Sequence, residues 1–453
     1  MWDKYGTLFK GGEIGYTHMS GRRQPCYKGL KSPISLFLTI LVTQTPRFDK
    51  MSKTEVNPME IKVIQDDFME LTRIEQSAYA SSFKGDADER KRYAEIYKDL
   101  ASGDDVTALG AYGPDLMGCE FHYDFTTNFH GHMIPTAGIG SLAVDLLHKK
   151  KGVAQGLIQA SMDRAHEAGV LLYHLYPFST EFYRNFGFGY GPQVFTYCAA
   201  PRDFKDMGDR SLLSYGGEAD YEDIIAFHDQ MATSTHGMSK KTSADRRRIH
   251  KMTIGKLLLA KDQGQLIGYM IYTQKGVGEG NMQRQKLVVS EMFYTPKALQ
   301  AFCSFFNAQK DQVTYVEVAT YDRHFHQMLK NTHFVPEPKT QHLISLKVSD
   351  HSLGLMPLAL DPQGLLDLLA VDLPYKVVFH ISHPQGEMKR ASIGEGEEVH
   401  LNLVINEFSS WVTGVVSLES LYRTGQLDFD QPSLLRQLDR AFYFESPRSY
   451  VLF

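Results

Sequence analysis

The stretch GIGSLAVDLLHKKKGVAQGLIQASMDRAHEAG, from Gly138 to Gly169, constrains the fold more than any other part of the chain. Ile139 to Val144 is an apolar run of the right length for a buried strand, Asp145 to Gly152 is a polar turn carrying three lysines, and Val153 to Ala168 has helical periodicity. Ala154, Leu157, Ile158, Met162 and Ala165 share one helical face, Gln155, Gln159, Asp163, Arg164 and Glu167 share the other, and Gly169 supplies a left-handed stop. The sequence therefore predicts strand, basic turn, helix. A helix start presents unpaired N–H groups and partial positive charge, so a glycine- and lysine-rich turn ahead of it suits a phosphate or pyrophosphate. Alone, the triplet Lys149, Lys150 and Lys151 would read as a solvated turn. The strand before it and the amphipathic helix after it favour the anion site.

Composition limits the classes of function. A chain of 453 residues has room for two to four domains, and 43 % hydrophobic with 22 % charged residues is ordinary for a soluble globular protein. A net charge of -5 argues against nucleic-acid binding by bulk charge. Cys26, Cys119, Cys198 and Cys303 are far apart, so neither a zinc ribbon nor a disulfide framework is indicated, and a cytoplasmic location is expected. There is no H-E-x-x-H, Walker or dinucleotide signature, and no metal is expected.

The motifs around that opening stretch carry a family resemblance. Lys149, Gly152 and Ala154 resemble the R/Q-x-x-G-x-G/A signature of GCN5-related N-acetyltransferases (GNAT), with lysine in place of arginine or glutamine. VLLYHLYP (Val170 to Pro177) reads as the next parallel strand, and FSTEFYRNFGFGYG (Phe178 to Gly191) resembles the family's short helix and aromatic-glycine turn. With the lysine triplet and the chain length, these residues resemble the Eis (enhanced intracellular survival) group. The resemblance implies an α/β (α+β) protein: two tandem GNAT-like modules followed by a sterol-carrier-like domain.

The chain in order fits that plan. Residues 1 to 58 are expected to be an extension outside the fold, disordered or an upstream start-site artefact; the apolar run Ile34 to Val42 is too short to span a membrane, and a secretion signal is the lesser alternative. Residues 59–200 are expected to form the catalytic module, ordered strand, helix, helix, strand, strand, strand, helix, strand, helix, strand. An aspartate cap is expected at the helix Asp66 to Ala80, Asp86 to Ala101 reads as a charged amphipathic helix, and a hairpin turns at Gly113, Pro114 and Asp115. Residues 201–347 repeat the pattern: a helix from Asp220 to Met231, a hairpin at Asp262, Gln263 and Gly264, a helix from Thr295 to Asn307, the strand TYVEVAT and a helix from Asp322 to Leu329. The turn there, FYTPKALQ, lacks glycine and loses a donor at Pro296, so no working cofactor site is expected. Residues 348–453 read as the sterol-carrier-like domain, with Ser409 as a cap and Gly425 as a stop; an apolar pocket there is left open.

The resemblance also assigns roles. Leu142, Ala143 and Val144 match the strand that pairs with the pantetheine arm of acetyl-CoA, and Lys149, Lys150, Lys151, Gly152, Val153, Ala154 and Gln155 match the pyrophosphate loop. His148 is either a phosphate contact or an exposed turn residue. Tyr183 matches the general acid; a phenol pKa of about 10 suits protonation of a departing thiolate. The group characteristically ends in phenylalanine, whose carboxylate lies in the first module's site, so Phe453 is the expected general base, with an α-carboxyl pKa of about 3.5. The expected acceptor is a primary amine of a small molecule, aminoglycoside-like or polyamine, or a peptide or protein lysine. Leu452 is neutral where relatives acting on aminoglycosides carry acidic groups, which weakens the case for a polycationic drug. Asp124, Phe83, Phe121, Tyr123 and Phe125 are candidate pocket residues. A homo-oligomer, a hexamer by resemblance, is implied, with neither nucleic acid nor membrane as partner. The alternative is a CoA- or ligand-binding scaffold or sensor without turnover, which would not need the Phe453 carboxylate.

Overall fold

A computed structural model describes residues 59–250, 256–278, 285–335 and 346–450. Strands are numbered along the chain. The first sheet runs in the order β1 (Glu60–Val63), β2 (Val106–Tyr112), β3 (Leu116–Phe129), β4 (His132–Val144), β5 (Leu172–Leu175) and, from far along the chain, β13 (Met356–Ala359). Two helices, Phe68–Ala78 and Ala87–Ala101, cover one face, burying Leu71, Ile74, Ala94 and Tyr97 against Cys119, Phe121 and Tyr123 of β3. The helix Val153–Glu167 crosses between β4 and β5, which makes that pair parallel; Leu157 and Ile158 are fully buried.

The second sheet repeats this layout in the order β12 (Asp350–Leu353), β6 (Gln193–Ala199), β11 (Val313–Thr320), β10 (Gln285–Tyr294), β9 (Gln265–Gly276), β8 (Lys256–Asp262) and β7 (Leu213–Tyr215). β10 and β11 are its parallel pair, crossed by the helix Pro296–Asn307. The third sheet, β15 (Met388–Ile393), β14 (Tyr375–Ser382), β16 (Glu397–Val404) and β17 (Leu427–Asp428), packs on the helix Ile405–Val412. Phe379, Phe408, Trp411 and Phe442 fill the space between that sheet and its helices, with Trp411 4.7 Å from Phe379 and 5.0 Å from Phe442 between ring centres. A mixed α/β fold of three sheet-based units is what the family resemblance implies.

Several local expectations differ in detail. The strand Gln193–Ala199, expected to close the first sheet, lies in the second, and β13 takes the vacated place beside β5. Both are short antiparallel additions, so alternation alone does not tell which sheet receives which. The glycine-rich stretch before β6 lets the chains cross: a Cβ on Gly191 would sit 1.8 Å from the Leu355 carbonyl oxygen. Asp67 precedes its helix without capping it, because its carboxylate accepts a hydrogen bond from Tyr112 Oη at 2.8 Å. Asp86 does cap its helix, accepting from the Glu89 amide at 2.7 Å. Ser409 lies inside a helix, where its hydroxyl donates to the Ile405 carbonyl and accepts from the Ala359 amide of β13, so it ties two domains together. Between Asp322 and Leu329 only a 3-10 turn, Phe325–Met328, forms.

Candidate active site

The site begins where β4 and β5 part. Their pairing covers Thr136 to Ile139 against Leu172 to Leu175; β4 then runs on to Val144 with no strand on that edge among the described residues. On its other edge β4 stays paired to β3 through Ala143 opposite Cys119 and Val144 opposite Gly118, after a bulge that absorbs Ser141 and Leu142. Ser141 sits at φ 51, an uncommon conformation for a residue with a side chain. Two contacts hold the bulge and the turn after it. Tyr79 Oη donates to the Leu142 carbonyl at 2.6 Å, and Arg73 binds Asp145 at 2.5 Å, holding the Asp145 carboxyl below its ordinary range. Asp145 also accepts from the Leu147 amide at 2.8 Å. Splayed strand, bulge and turn are therefore tied to the helix Phe68–Ala78.

Beyond Asp145 the chain exposes Leu146, Leu147 and the lysines Lys149, Lys150 and Lys151. His148 is half-buried. Gly152 adopts φ 81, ψ 1 as it enters the helix Val153–Glu167, whose first turn holds no acidic residue. Val153 is buried, while Ala154 and Gln155 lie in the first turn, where backbone N–H groups have no partner within the helix. The sequence places three positive charges and a helix dipole at one end of an open strand edge.

Tyr183 lies on the other arm, in the helix Thr180–Arg184 that follows β5. It is 3 % exposed, with Phe178 and Phe182 edge-on at 5.1 Å and Phe188 at 6.1 Å. The third domain fixes this arm. Arg184 pairs with Glu407 at 2.5 Å, Asn406 Nδ2 donates to the carbonyls of Arg184 and Phe188, and Ser410 donates to that of Tyr190. No sequence signal pointed to these contacts, because each joins residues more than 200 positions apart.

Phe121, Tyr123 and Phe125 point into the core beneath the two covering helices, and Phe83 packs edge-on against Tyr93 at 4.9 Å. Asp124 lies on the opposite face of β3 from them and is bonded to His122 at 3.1 Å. His122 reaches Ser161 at 2.8 Å, and Ser161 reaches Tyr173 at 2.5 Å, a buried polar chain beneath the helix Val153–Glu167. Leu452 and Phe453 lie outside the described residues.

The second sheet has the same splay with different chemistry. β10 pairs with β11 only from Gln285 to Val289, and a bulge at Ser290 follows. The helix beyond starts at Thr295, whose hydroxyl caps the Ala298 amide at 3.4 Å, with Pro296 next. The side chain of Glu291, beside the bulge, is only 7 % exposed. Burial opposes its charge, but Lys241 and Arg248, each at 2.7 Å, hold its carboxyl well below the usual carboxylate range.

Two family models described as acetyltransferase (GNAT) domains match residues 61–191 and 237–345. The chain carries two GNAT acetyltransferase domains. A third model, a sterol carrier protein domain, matches residues 326–451. No curated protein matches the chain. Among solved structures, a GCN5-related N-acetyltransferase from Anabaena variabilis shares 18 % identity at TM-score 0.69, covering 86 % of this chain and 98 % of its own. One from Kribbella flavida shares 16 % at 0.66, covering 87 % and 98 %. Eis1 from Mycobacterium abscessus also shares 16 % at 0.66, covering 87 % of this chain and all of its own. The chain is an acyltransferase, and GNAT domains use acetyl-CoA as co-substrate and an amine-bearing acceptor. In the first GNAT domain the open β4 edge, the left-handed Gly152 and the lysine turn suit an extended pantetheine arm ending in a pyrophosphate. Among the described residues no helix is long and apolar enough to cross a membrane, and no group of His, Cys, Asp and Glu could hold a metal ion.

Proposed function

We propose that the chain is an Eis-like N-acetyltransferase that moves the acetyl group of acetyl-CoA to a primary amine, in the first of its two GNAT domains. The observation that carries this reading is the asymmetry between the two splays. The first opens onto Gly152 and three lysines, the second onto a self-capped Thr295-Pro296 start. The catalytic module is read as 59–200, a second without a cofactor site as 201–347 and a sterol-carrier-like domain as 348–453, with β6 and β12 crossing these bounds into the second sheet and β13 into the first. Leu142, Ala143 and Val144 would pair with the pantetheine arm, and Lys149 to Gln155 would hold the pyrophosphate.

In the reaction the acceptor nitrogen, freed of its proton by the Phe453 carboxylate, attacks the thioester carbon. The C–S bond breaks, Tyr183 donates its phenolic proton to the leaving thiolate, and the second proton on the nitrogen passes to the Tyr183 phenolate, giving a neutral amide and CoA. Small polyamines, aminoglycoside-like amines and peptide lysines all remain within this class. A cytoplasmic homo-oligomer, hexameric by resemblance, belongs to the same reading and is checked by cell fractionation and sedimentation.

The test is thiol release from acetyl-CoA with a panel of primary amines. Tyr183→Phe should lower kcat by about 100-fold or more with the KM for acetyl-CoA little changed. A short extension after Phe453 should abolish turnover while acetyl-CoA still binds. Equal turnover with and without the extension would remove Phe453 from the mechanism, and binding without turnover in every form would return the chain to the sensor reading.

A further inference from the structure

The splay of the second GNAT domain is filled, and what fills it is the chain itself. Its two arms are β10 past Val289 and the residues just after β11. Tyr450 bridges them, its ring edge-on to Phe293 at 4.9 Å on one arm and to Tyr321 at 4.7 Å on the other. Tyr321 Oη donates to the Ser449 carbonyl at 2.8 Å, and the Tyr321 amide donates to Tyr450 Oη at 3.4 Å. Tyr450 also packs on the buried cluster formed by Ile224, Ile271, Phe293 and their neighbours.

The approach to this cleft is equally tight. The Arg448 amide donates to the His236 carbonyl at 2.9 Å, and Gly237, at φ 78, leaves no space for a side chain because a Cβ would lie 2.6 Å from Pro447. Pro447 and Ser449 line a small cavity together with Thr127, Asn128 and His174 of the first GNAT domain. The stretch from His236 to Lys240 in turn bonds to the free edge of β3, with the Asn128 amide donating to the Met238 carbonyl at 2.9 Å and the Lys240 amide to the Thr126 carbonyl at 3.0 Å. Residues 447–450 thus lie against both GNAT domains at once.

We infer that the second GNAT domain's cleft, the counterpart of the co-substrate cleft, is a receptor for the chain's own segment 447–450, and that Tyr321 and Tyr450 are positioning residues for acetyl transfer in the first. A groove that takes an extended pantetheine arm along an open strand edge suits an extended peptide equally well. Two ring contacts across the arms and a hydrogen bond to the Ser449 carbonyl fix the segment's register. The positioning role rests on the reading in which Phe453 acts at the first site; occupancy of the cleft does not.

Tyr450→Ala and Tyr321→Phe, made in the full chain, test this with two readouts: the rate at which carboxypeptidase shortens the chain, and kcat separated from the KM for acetyl-CoA. Tyr450→Ala should be shortened about tenfold faster or more, and its kcat should fall by about 10- to 100-fold while that KM stays within about twofold. Tyr321→Phe, which keeps the ring and loses one hydrogen bond, should move both readouts the same way by about three- to tenfold. Shortening of Tyr450→Ala at the wild-type rate would overturn the receptor role. A loosened segment with kcat unchanged would overturn the positioning role. The extension after Phe453 separates the two ideas: if the extended chain turns over normally, the terminal-carboxylate reading fails, while protection of the segment still reports on the cleft.

Discussion

Glu120 shows how burial alone can set a charge state. It is fully buried on β3, neither carboxylate oxygen has a hydrogen-bond partner among the described residues, and burial pushes its pKa up from 4.5 to about 8, with the neighbouring Ser161 hydroxyl opposing. The folded protein therefore keeps this proton across a range where the unfolded chain loses it. Stability is fully present below pH 4.5 and falls as pH climbs toward 8. Glu120→Gln keeps the shape without the titration, so its urea midpoint should change less between pH 5 and pH 8 than the wild type's. The gain at pH 8 should be of order 3 kcal/mol; parallel midpoint curves would show that Glu120 is not the group responsible. At this scale the sequence was legible where neighbours are local, as with the packing of Tyr183 among Phe178, Phe182 and Phe188. It was silent on Tyr79, whose hydroxyl fixes the Leu142 carbonyl from 63 positions away. A tyrosine at a helix end carries no local sign of such a partner.

Among the elements, those whose signal is local came through: the hairpin turn at Gln263 and Gly264, the Thr295 cap, and the helix Val153–Glu167 with Gly152 and Gly169 at its ends. The exchange of β6 and β13 did not, because a short alternating strand encodes two faces but not the sheet it joins. The two glycines bounding the helix allow its roles to be separated. Both have positive φ, 81 at Gly152 and 71 at Gly169, and at neither would a Cβ meet any atom within 4 Å. Alanine at either site therefore costs backbone strain alone, about 1 kcal/mol. Gly152→Ala and Gly169→Ala should lower Tm by similar amounts. Only Gly152→Ala should also raise the KM for acetyl-CoA, by about three- to tenfold, because it alone shapes the turn proposed to hold the pyrophosphate. An equal KM change in both variants would assign the effect to the helix as a whole.

The whole molecule meets at one pair of histidines. His130 at the β3–β4 hairpin tip stacks on His236 at 3.8 Å and 17° between ring planes. Their Nε2 atoms reach the Val412 and Thr413 carbonyls of the third domain at 3.0 Å, and Phe444 lies 4.4 Å from His130. Two imidazoles stacked this closely cannot both be charged. Burial first, then His236 and His132, push the His130 pKa down to about 3 against the pull of the Val412 carbonyl and Glu445; His236 is also lowered, chiefly by burial, against the Thr413 and Asn128 backbone groups. Both depressed values work in one direction. Above the ordinary pKa of 6.5 the pair is neutral folded or unfolded, and as pH falls the unfolded chain takes protons that the folded joint refuses. His130 alone should therefore cost about 2–3 kcal/mol at pH 4.5 relative to pH 7.5. His130→Asn retains a residue that tolerates the φ of 48 at this position and cannot titrate. Its Tm should start lower at pH 7.5, having lost the stack, and then fall less steeply toward pH 4.5. If the two Tm curves stay parallel over that range, the acid sensitivity lies elsewhere and the joint is held by packing alone.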